Sequence, residues 1–330
     1  MGAKTGIEWT DSTWNPFIGC SRVSEGCRNC YAERLAGRFS AKTEGVYAGT
    51  TKAVNGLQVW TGKISRAPEE TLLKPLSWKG VMVPVGPGGT IQELAPRRRR
   101  IFVNSMSDLF HENVPDEWID QVFAVMALCP QHIFQVLTKR PERMPAWTKR
   151  NSTGGHIFHI AQQIDPKKNG AQSGRWPLPN VWLGVSVENQ AAADKRIPWL
   201  LKTPTAVRFI SAEPLLGPVD VSLYLRQVRM EGEVEDQKLD WVICGGESGP
   251  GARPMHPDWA RSLRDQCAAA GVPFFFKQWG EWLPQLQDGA PGDPWLINAS
   301  DIPERVGKKA AGALLDGREW KQFPEVQPCR

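Results

Sequence analysis

Short runs of β-branched and aromatic residues alternate with helical patterns along almost the whole chain, and this alternation leaves few folds open. The runs are Phe17-Ile18, Arg100–Asn104, His132–Leu137, Val181–Val187, Ala206–Ser211, Trp241–Cys244 and Pro273–Phe276. Most are continuously apolar, as strands of a parallel sheet buried on both faces must be. Between them, Asp116–Leu128 puts Trp118, Ile119, Val122, Phe123 and Met126 on one helical face behind the start signal Pro115. Asn29–Phe39, Asn189–Leu201 and Asp258–Ala270 read the same way. The pattern predicts an α/β architecture, a partial or complete (β/α) barrel of about six to seven parallel strands. An open doubly wound sheet competes, but no Gly-x-Gly-x-x-Gly follows the first strand.

Three segments interrupt the alternation. Residues 41–99 are rich in Gly, Pro and Thr, 146–179 are polar and Gly-rich, and 226–239 are highly charged. They read as loop insertions in one domain spanning 1–280, followed by a C-terminal extension, 281–330, that packs on the barrel. No fixed-period repeat occurs. No apolar run is long enough for a bilayer and no apolar leader opens the chain, so the expectation is a cytoplasmic protein without a membrane partner. Of seven cysteines, Cys129, Cys244, Cys267 and Cys329 are scattered singly, which is not a disulfide framework. A net charge of +5 permits a nucleic-acid partner, and fifteen tryptophans could stack on flat substrates or simply fill a core. The densest basic run, Arg97–Arg100, precedes the second strand and so belongs at the bottom of a barrel, as a solvated turn.

The other three cysteines are grouped as Cys20-x6-Cys27-x2-Cys30. Three thiolates so close can hold a metal centre and leave one coordination position open, as catalytic centres require. A structural zinc would need a fourth ligand, for which His111 or Cys244 could come in from a strand end. Soft thiolates with an open position fit an iron–sulfur centre better.

Active sites of (β/α) barrels lie at the C-terminal ends of the strands, and here those ends are polar. The first runs into the cysteine loop. The second ends in Asn104-Ser105-Met106-Ser107-Asp108-Leu109-Phe110-His111, the third in Thr138-Lys139-Arg140 and the fourth in Ser186-Val187-Glu188-Asn189. The fifth ends in Ser211-Ala212-Glu213-Pro214, the sixth in Gly245-Gly246-Glu247-Ser248-Gly249 and the seventh in Lys277-Gln278-Trp279. Lys139 and Arg140 could clamp a carboxylate or phosphate, or form a solvated turn before Pro141. Glu188 and Glu213 could bind hydroxyls or an amine, or pair with Lys139 and Lys277. Asp108 and His111 could serve as acid and base or as cofactor contacts, whereas His132, His156 and His159 read as satisfied core histidines.

Three cysteines after the first strand of such a barrel, ending C-x2-C beside an aromatic residue, resemble the radical S-adenosylmethionine (radical SAM) superfamily, whose usual spacing is C-x3-C-x2-C. Ile7 to Pro16, the cysteine run, Asp108-Leu109-Phe110-His111, Leu137 to Pro141, Gly245 to Gly249 and Lys277-Gln278-Trp279-Gly280 are also similar to a phage-associated three-cysteine-motif family of uncharacterised function. The resemblance implies a radical SAM-type barrel in which Cys20, Cys27 and Cys30 ligate a [4Fe-4S] cluster, Tyr31 flanks it, and S-adenosylmethionine binds the open iron. It further implies cofactor contacts from Ser105, Asp108, Glu188, Gly245, Gly246 and Glu247. His111, Lys139, Arg140, Glu213, Lys277 and Gln278 remain for catalysis or substrate. The expected function is an iron–sulfur radical enzyme, served by an electron-donor protein, that modifies or repairs a nucleic acid or nucleotide-like substrate. The alternative is a non-catalytic metal protein, iron–sulfur or zinc, that binds nucleic acid.

Overall fold

Seven parallel strands lie side by side in chain order: β1 (Ser12–Trp14), β2 (Arg99–Val103), β3 (His132–Thr138), β4 (Val181–Ser186), β5 (Val207–Ala212), β6 (Trp241–Cys244) and β7 (Phe274–Phe276). A computed structural model describes residues 5–40, 44–84, 94–151, 154–167, 176–227, 237–283 and 303–325. A doubly wound sheet reverses its order at a switch point; this one never does. In a flat sheet β2 and β6 would lie about 19 Å apart. Here Phe102 of β2 and Trp241 of β6 both pack on Trp9, with ring centroids 4.7 and 6.4 Å from it. The sheet is therefore curled into a half-barrel.

Alternation along the strands divides two cores. Ile101, Val103, Phe134, Val136, Leu183, Val185, Ile210, Val242, Phe274 and Phe276 face outward into a continuous apolar layer. Helices α1 (Tyr31–Ser40), α2 (Asp116–Ala127), α3 (Met144–Arg150), α4 (Gly155–Ile164), α5 (Gln190–Leu201) and α6 (Pro257–Ala270) complete the set of longer helices. Of these, α2, α5 and α6 contribute Ile119, Val122, Phe123, Ile197, Leu200 and Leu263 to the outer layer. The inner face holds Phe102, Ile133, Trp182, Phe209, Trp241, Ile243 and Phe275 around Trp9. The segments that follow the strands' C-terminal ends are polar, whereas the aromatic plug fills the bottom.

Within the sheet, β7 bonds to β6 and not to β1. The tail covers this seam. Phe276 N–H donates to Trp320 O at 2.7 Å and Gln322 N–H to Phe274 O at 3.2 Å. Phe323 packs on Trp241 and Phe275, with the Arg100 guanidinium 3.7 Å from its ring centre. An edge strand left bare would invite pairing with another chain, and this contact removes that exposure.

The structure departs from sequence expectation in several places, among them His156 and His159, which are exposed on α4 rather than core histidines. The first barrel strand is Ser12–Trp14, not Phe17-Ile18, which instead pairs antiparallel with Ser65–Arg66. A three-residue polar run such as Ser-Thr-Trp carries little strand signal, and only its pairing with β2 defines it. Residues 146–179, expected as a loop, contain most of α3 and all of α4, which packs on α2. Arg97–Arg100 do lie at the bottom but form no solvated turn: Arg97 pairs with Asp11 at 2.7 Å and Arg99 donates to Ser12 Oγ at 2.9 Å. The insertion at 41–99 contains a hairpin, Thr51–Val54 with Leu57–Trp60, packed on α1. Most of 226–239, and 284–302 of the extension, lie outside the described residues.

Gly184 of β4 marks the tightest point of the inner face. A Cβ there would sit 2.6 Å from three carbons of the Phe209 ring, which is itself fully buried. Gly184→Ala is expected to lower stability by about 1–3 kcal/mol through overpacking. Chemical denaturation checks this as a lower midpoint at unchanged slope.

Candidate active site at the barrel mouth

The polar strand ends meet in one cavity of about 270 Å³, at the lower end of the size range of small-ligand sites. Of the residues singled out from sequence, Cys20, Cys27, Cys30, Tyr31, Ser105, Asp108, Lys139, Arg140, Glu213, Gly246, Glu247 and Lys277 line it. Glu188, Gly245, His111 and Gln278 do not. Each of these four lies just behind the wall and has a structural partner or packing contact. Glu188 is buried and paired with Arg196 of α5 at 2.7 Å, directly before the Asn189 side chain that caps this helix. Gln278 Nε2 donates to Gly246 O at 3.1 Å. Gly245 packs 3.3 Å from Lys277 Cβ, measured from where its own Cβ would be.

Arg140 organises the cysteine loop. Its guanidinium pairs with Asp108 at 3.2 Å and Glu112 at 2.7 Å, donates to Ser21 O at 2.9 Å and Ser21 Oγ at 2.6 Å, and reaches to 3.8 Å from Cys20 Sγ. Asp108 also accepts from Thr138 Oγ1 at 2.7 Å and Lys139 N–H at 3.0 Å. His111 Nδ1 accepts the Asn113 N–H at 3.0 Å, so Nε2 carries the proton and donates to Ser21 Oγ at 2.9 Å. Burial, and next the charge of Arg140, hold His111 below the usual imidazole range and keep it neutral. Arg140 therefore presents Cys20 from behind rather than reaching out as a free clamp.

Two further ion pairs fix the same loop. Arg22 donates to buried Glu33 of α1 at 3.1 Å, and Glu33 accepts the Trp60 N–H at 2.7 Å. Glu247 accepts from Arg253 at 2.8 and 2.9 Å and from Asn29, between Cys27 and Cys30, at 2.9 Å. Burial alone would raise the Glu247 carboxyl, but the hydrogen bonds from Arg253 and Asn29 outweigh it and hold it below the usual range. Gly246 has its own constraint: a Cβ would lie 1.9 Å from Trp279 O, so the ends of β6 and β7 approach this closely only with glycine there.

Burial, and then the nearby Asp108 carboxylate, push the Cys20 thiol up to about 12, while Arg140 pulls the other way. Burial also raises Cys30. Among the described residues, no group of three or more His, Cys, Asp or Glu side chains is disposed to hold a metal ion. Cys244 is fully buried in the outer layer, and both His111 nitrogens have partners, so neither stands ready as a fourth zinc ligand. Across the cavity Lys277 pairs with Glu213. Lys139 lines the cavity, and its charge acts on the buried Glu188 carboxylate behind the wall.

The family described as a protein of unknown function, DUF5131, matches residues 4–324. The chain belongs to that family. No curated protein and no solved structure matches it.

Several lining residues were not assigned from sequence. Ser186, Ser211 and Asn104 sit at strand ends where a polar residue was visible but had no distinguishing signal. Ile7 and Trp9 precede β1 and are brought inside only by the curl. Arg253 and Glu33, which position the loop, carry no motif. Among the described residues, no helix is long and apolar enough to cross a membrane.

Because the folded-state carboxyl of Glu247 titrates low, its contribution is complete above the ordinary carboxylate range and is lost as pH falls through the lowered value. Glu247→Gln is expected to cost about 1.5–3 kcal/mol at neutral pH. The gap from the parent protein should close on acidification, which denaturation series at neutral and acid pH measure.

Proposed function

We propose that this chain is an iron–sulfur, S-adenosylmethionine-dependent radical enzyme of the cytoplasm that acts on a nucleic acid or nucleotide-like substrate and takes its electron from a donor protein. The observation that carries this reading is the position of Cys20, Cys27 and Cys30, which line the cavity at the C-terminal ends of a curled parallel sheet. The chemistry of the donor set fits. Three soft sulfurs with, among the described residues, no histidine or carboxylate disposed to complete a tetrahedron suit a cluster better than a lone zinc. Each thiolate of a four-iron cluster binds a different iron, so the sulfurs need to surround a shared space rather than close on one ion. When bound, cluster and S-adenosylmethionine together supply one-electron chemistry that removes a hydrogen atom from substrate.

The protein's own residues do the remaining work. Arg140 keeps a positive charge beside Cys20 and favours its thiolate form. Glu247 and Arg253 hold Asn29, and with it the turn from Cys27 to Cys30. Lys139 offers an ammonium at the cavity wall to an anionic group, and the Glu213–Lys277 pair offers an acceptor and donors to hydroxyls or amines. The half-barrel wall and the aromatic plug close the bottom of the cavity.

Anaerobic reconstitution tests the reading. The expected result is about four irons and four sulfides per chain, with a change in the cluster's electron-spin signal on adding S-adenosylmethionine and cleavage of that cofactor on reduction. A variant with alanine at Cys20, Cys27 and Cys30 should lose the iron, while Cys129→Ala and Cys267→Ala keep it. One tightly held zinc without cofactor cleavage would overturn the proposal in favour of a structural metal.

A further inference from the structure

We propose that the deep end of the cavity is a recognition subsite for the hydrogen-bonding edge of a substrate nucleobase, built on the Asn104 amide and the Trp9 indole N–H. Asn104 follows the last residue of β2 and has φ of 61°, a left-handed conformation that non-glycine residues rarely adopt. Its backbone is fixed there, with the N–H donating to Trp14 O at 2.8 Å and the carbonyl accepting from Ser107 N–H at 3.3 Å. The residue is 2 % exposed and lines the cavity, yet neither Oδ1 nor Nδ2 has a hydrogen-bond partner. Trp9 is also 2 % exposed and lines the cavity, and its Nε1 likewise has none. Gln135, beside Phe102 in the β2–β3 register, donates through Nε2 to Trp9 O at 3.3 Å and leaves Oε1 unpartnered.

Buried polar atoms without partners are rare and costly. Three of them belong to Asn104 and Trp9, which line the cavity, and a fourth, on Gln135, lies next to Trp9; together they mark a place that a bound molecule satisfies. The chemistry narrows the molecule. A side-chain amide sets a donor and an acceptor side by side in one plane, the complement of the paired groups along a base edge. All four atoms are uncharged, so they select a neutral polar edge rather than a phosphate. Phe102 and Leu137, which line the same end, supply apolar surface for the faces of a flat ring. The inference rests on the cavity being a nucleotide-type substrate site and does not depend on a cluster being present.

The test uses the full chain without metal. Adenosine, guanosine, cytidine, uridine and thymidine are titrated by calorimetry, each with and without saturating S-adenosylmethionine. One nucleoside should bind in preference, and still bind when S-adenosylmethionine is present. Asn104→Gly, which suits the left-handed backbone, and Trp9→Phe, which removes the indole N–H and part of the ring but keeps an aromatic side chain in the plug, should each weaken binding by about tenfold or more. Asn104→Asp exchanges a donor for an acceptor and should change which base is preferred. Circular dichroism confirms that each variant is folded. Absence of binding to any nucleoside, equal affinity in the parent and both Asn104→Gly and Trp9→Phe, or binding of adenosine alone that S-adenosylmethionine displaces would each overturn the proposal. Failed cluster reconstitution alongside base-selective binding would overturn the radical-enzyme reading alone.

Discussion

A parallel sheet that adds strands in one direction must curl, and its concave face must then be filled. Here the bottom is filled by aromatic rings meeting at Trp9, which touches Phe102, Phe209 and Trp241 from three different strands. Everything above depends on that plug. It fixes the curvature, and the curvature decides that polar strand ends up to six connections apart in sequence share one space. The tail residues Trp320 to Phe323 cover the seam beside β7 at the level of the plug.

The cysteine loop is longer than a tight turn needs, and its extra residues are held by charge. Arg22 ties it to α1 through Glu33, Arg140 ties it to the ends of β2 and β3 through Asp108 and Ser21, and Arg253 with Glu247 ties it to the end of β6. Burying such pairs gains little net stability against replacing them with apolar side chains, but removing one partner leaves the other unpaired at high cost. What the pairs do provide is placement, because each fixes donor and acceptor directions as well as proximity. A loop that must hold three sulfurs at one wall of a cavity has use for placement more than for stability.

Six of the seven barrel strands were legible in the sequence, because a strand buried on both faces leaves a continuous apolar run. Ser12–Trp14 was not, because three residues carry no period. The helices α2, α5 and α6 were legible from their apolar stripes and caps. Helix α4 was not, although Ile157 and Ala161 are its buried residues, since the glycines and histidines around them read as loop. At the site, residue types at strand ends gave the lining but not the partners. Glu247 and Arg140 were visible as charges beside a cavity. That each is already engaged by Arg253, or by Asp108 and Glu112, depends on long-range packing that no local pattern encodes.

The same distinction separates the arguments for a nucleotide-type substrate. Composition gives it little support. Trp9, Trp14, Trp60, Trp147, Trp182, Trp241 and Trp279 are buried and belong to the fold, and Arg97–Arg100 hold the bottom of the sheet together. Placement supports it more. Lys139 and the unpartnered amide of Asn104 line the same cavity, the one suited to a phosphate and the other to a base. A charge count cannot make that distinction, because it weighs the arginines at the closed end equally with the lysine at the open one. The curl of the sheet sorts them, and so the feature that builds the fold is also the one that decides which polar groups remain available to a ligand.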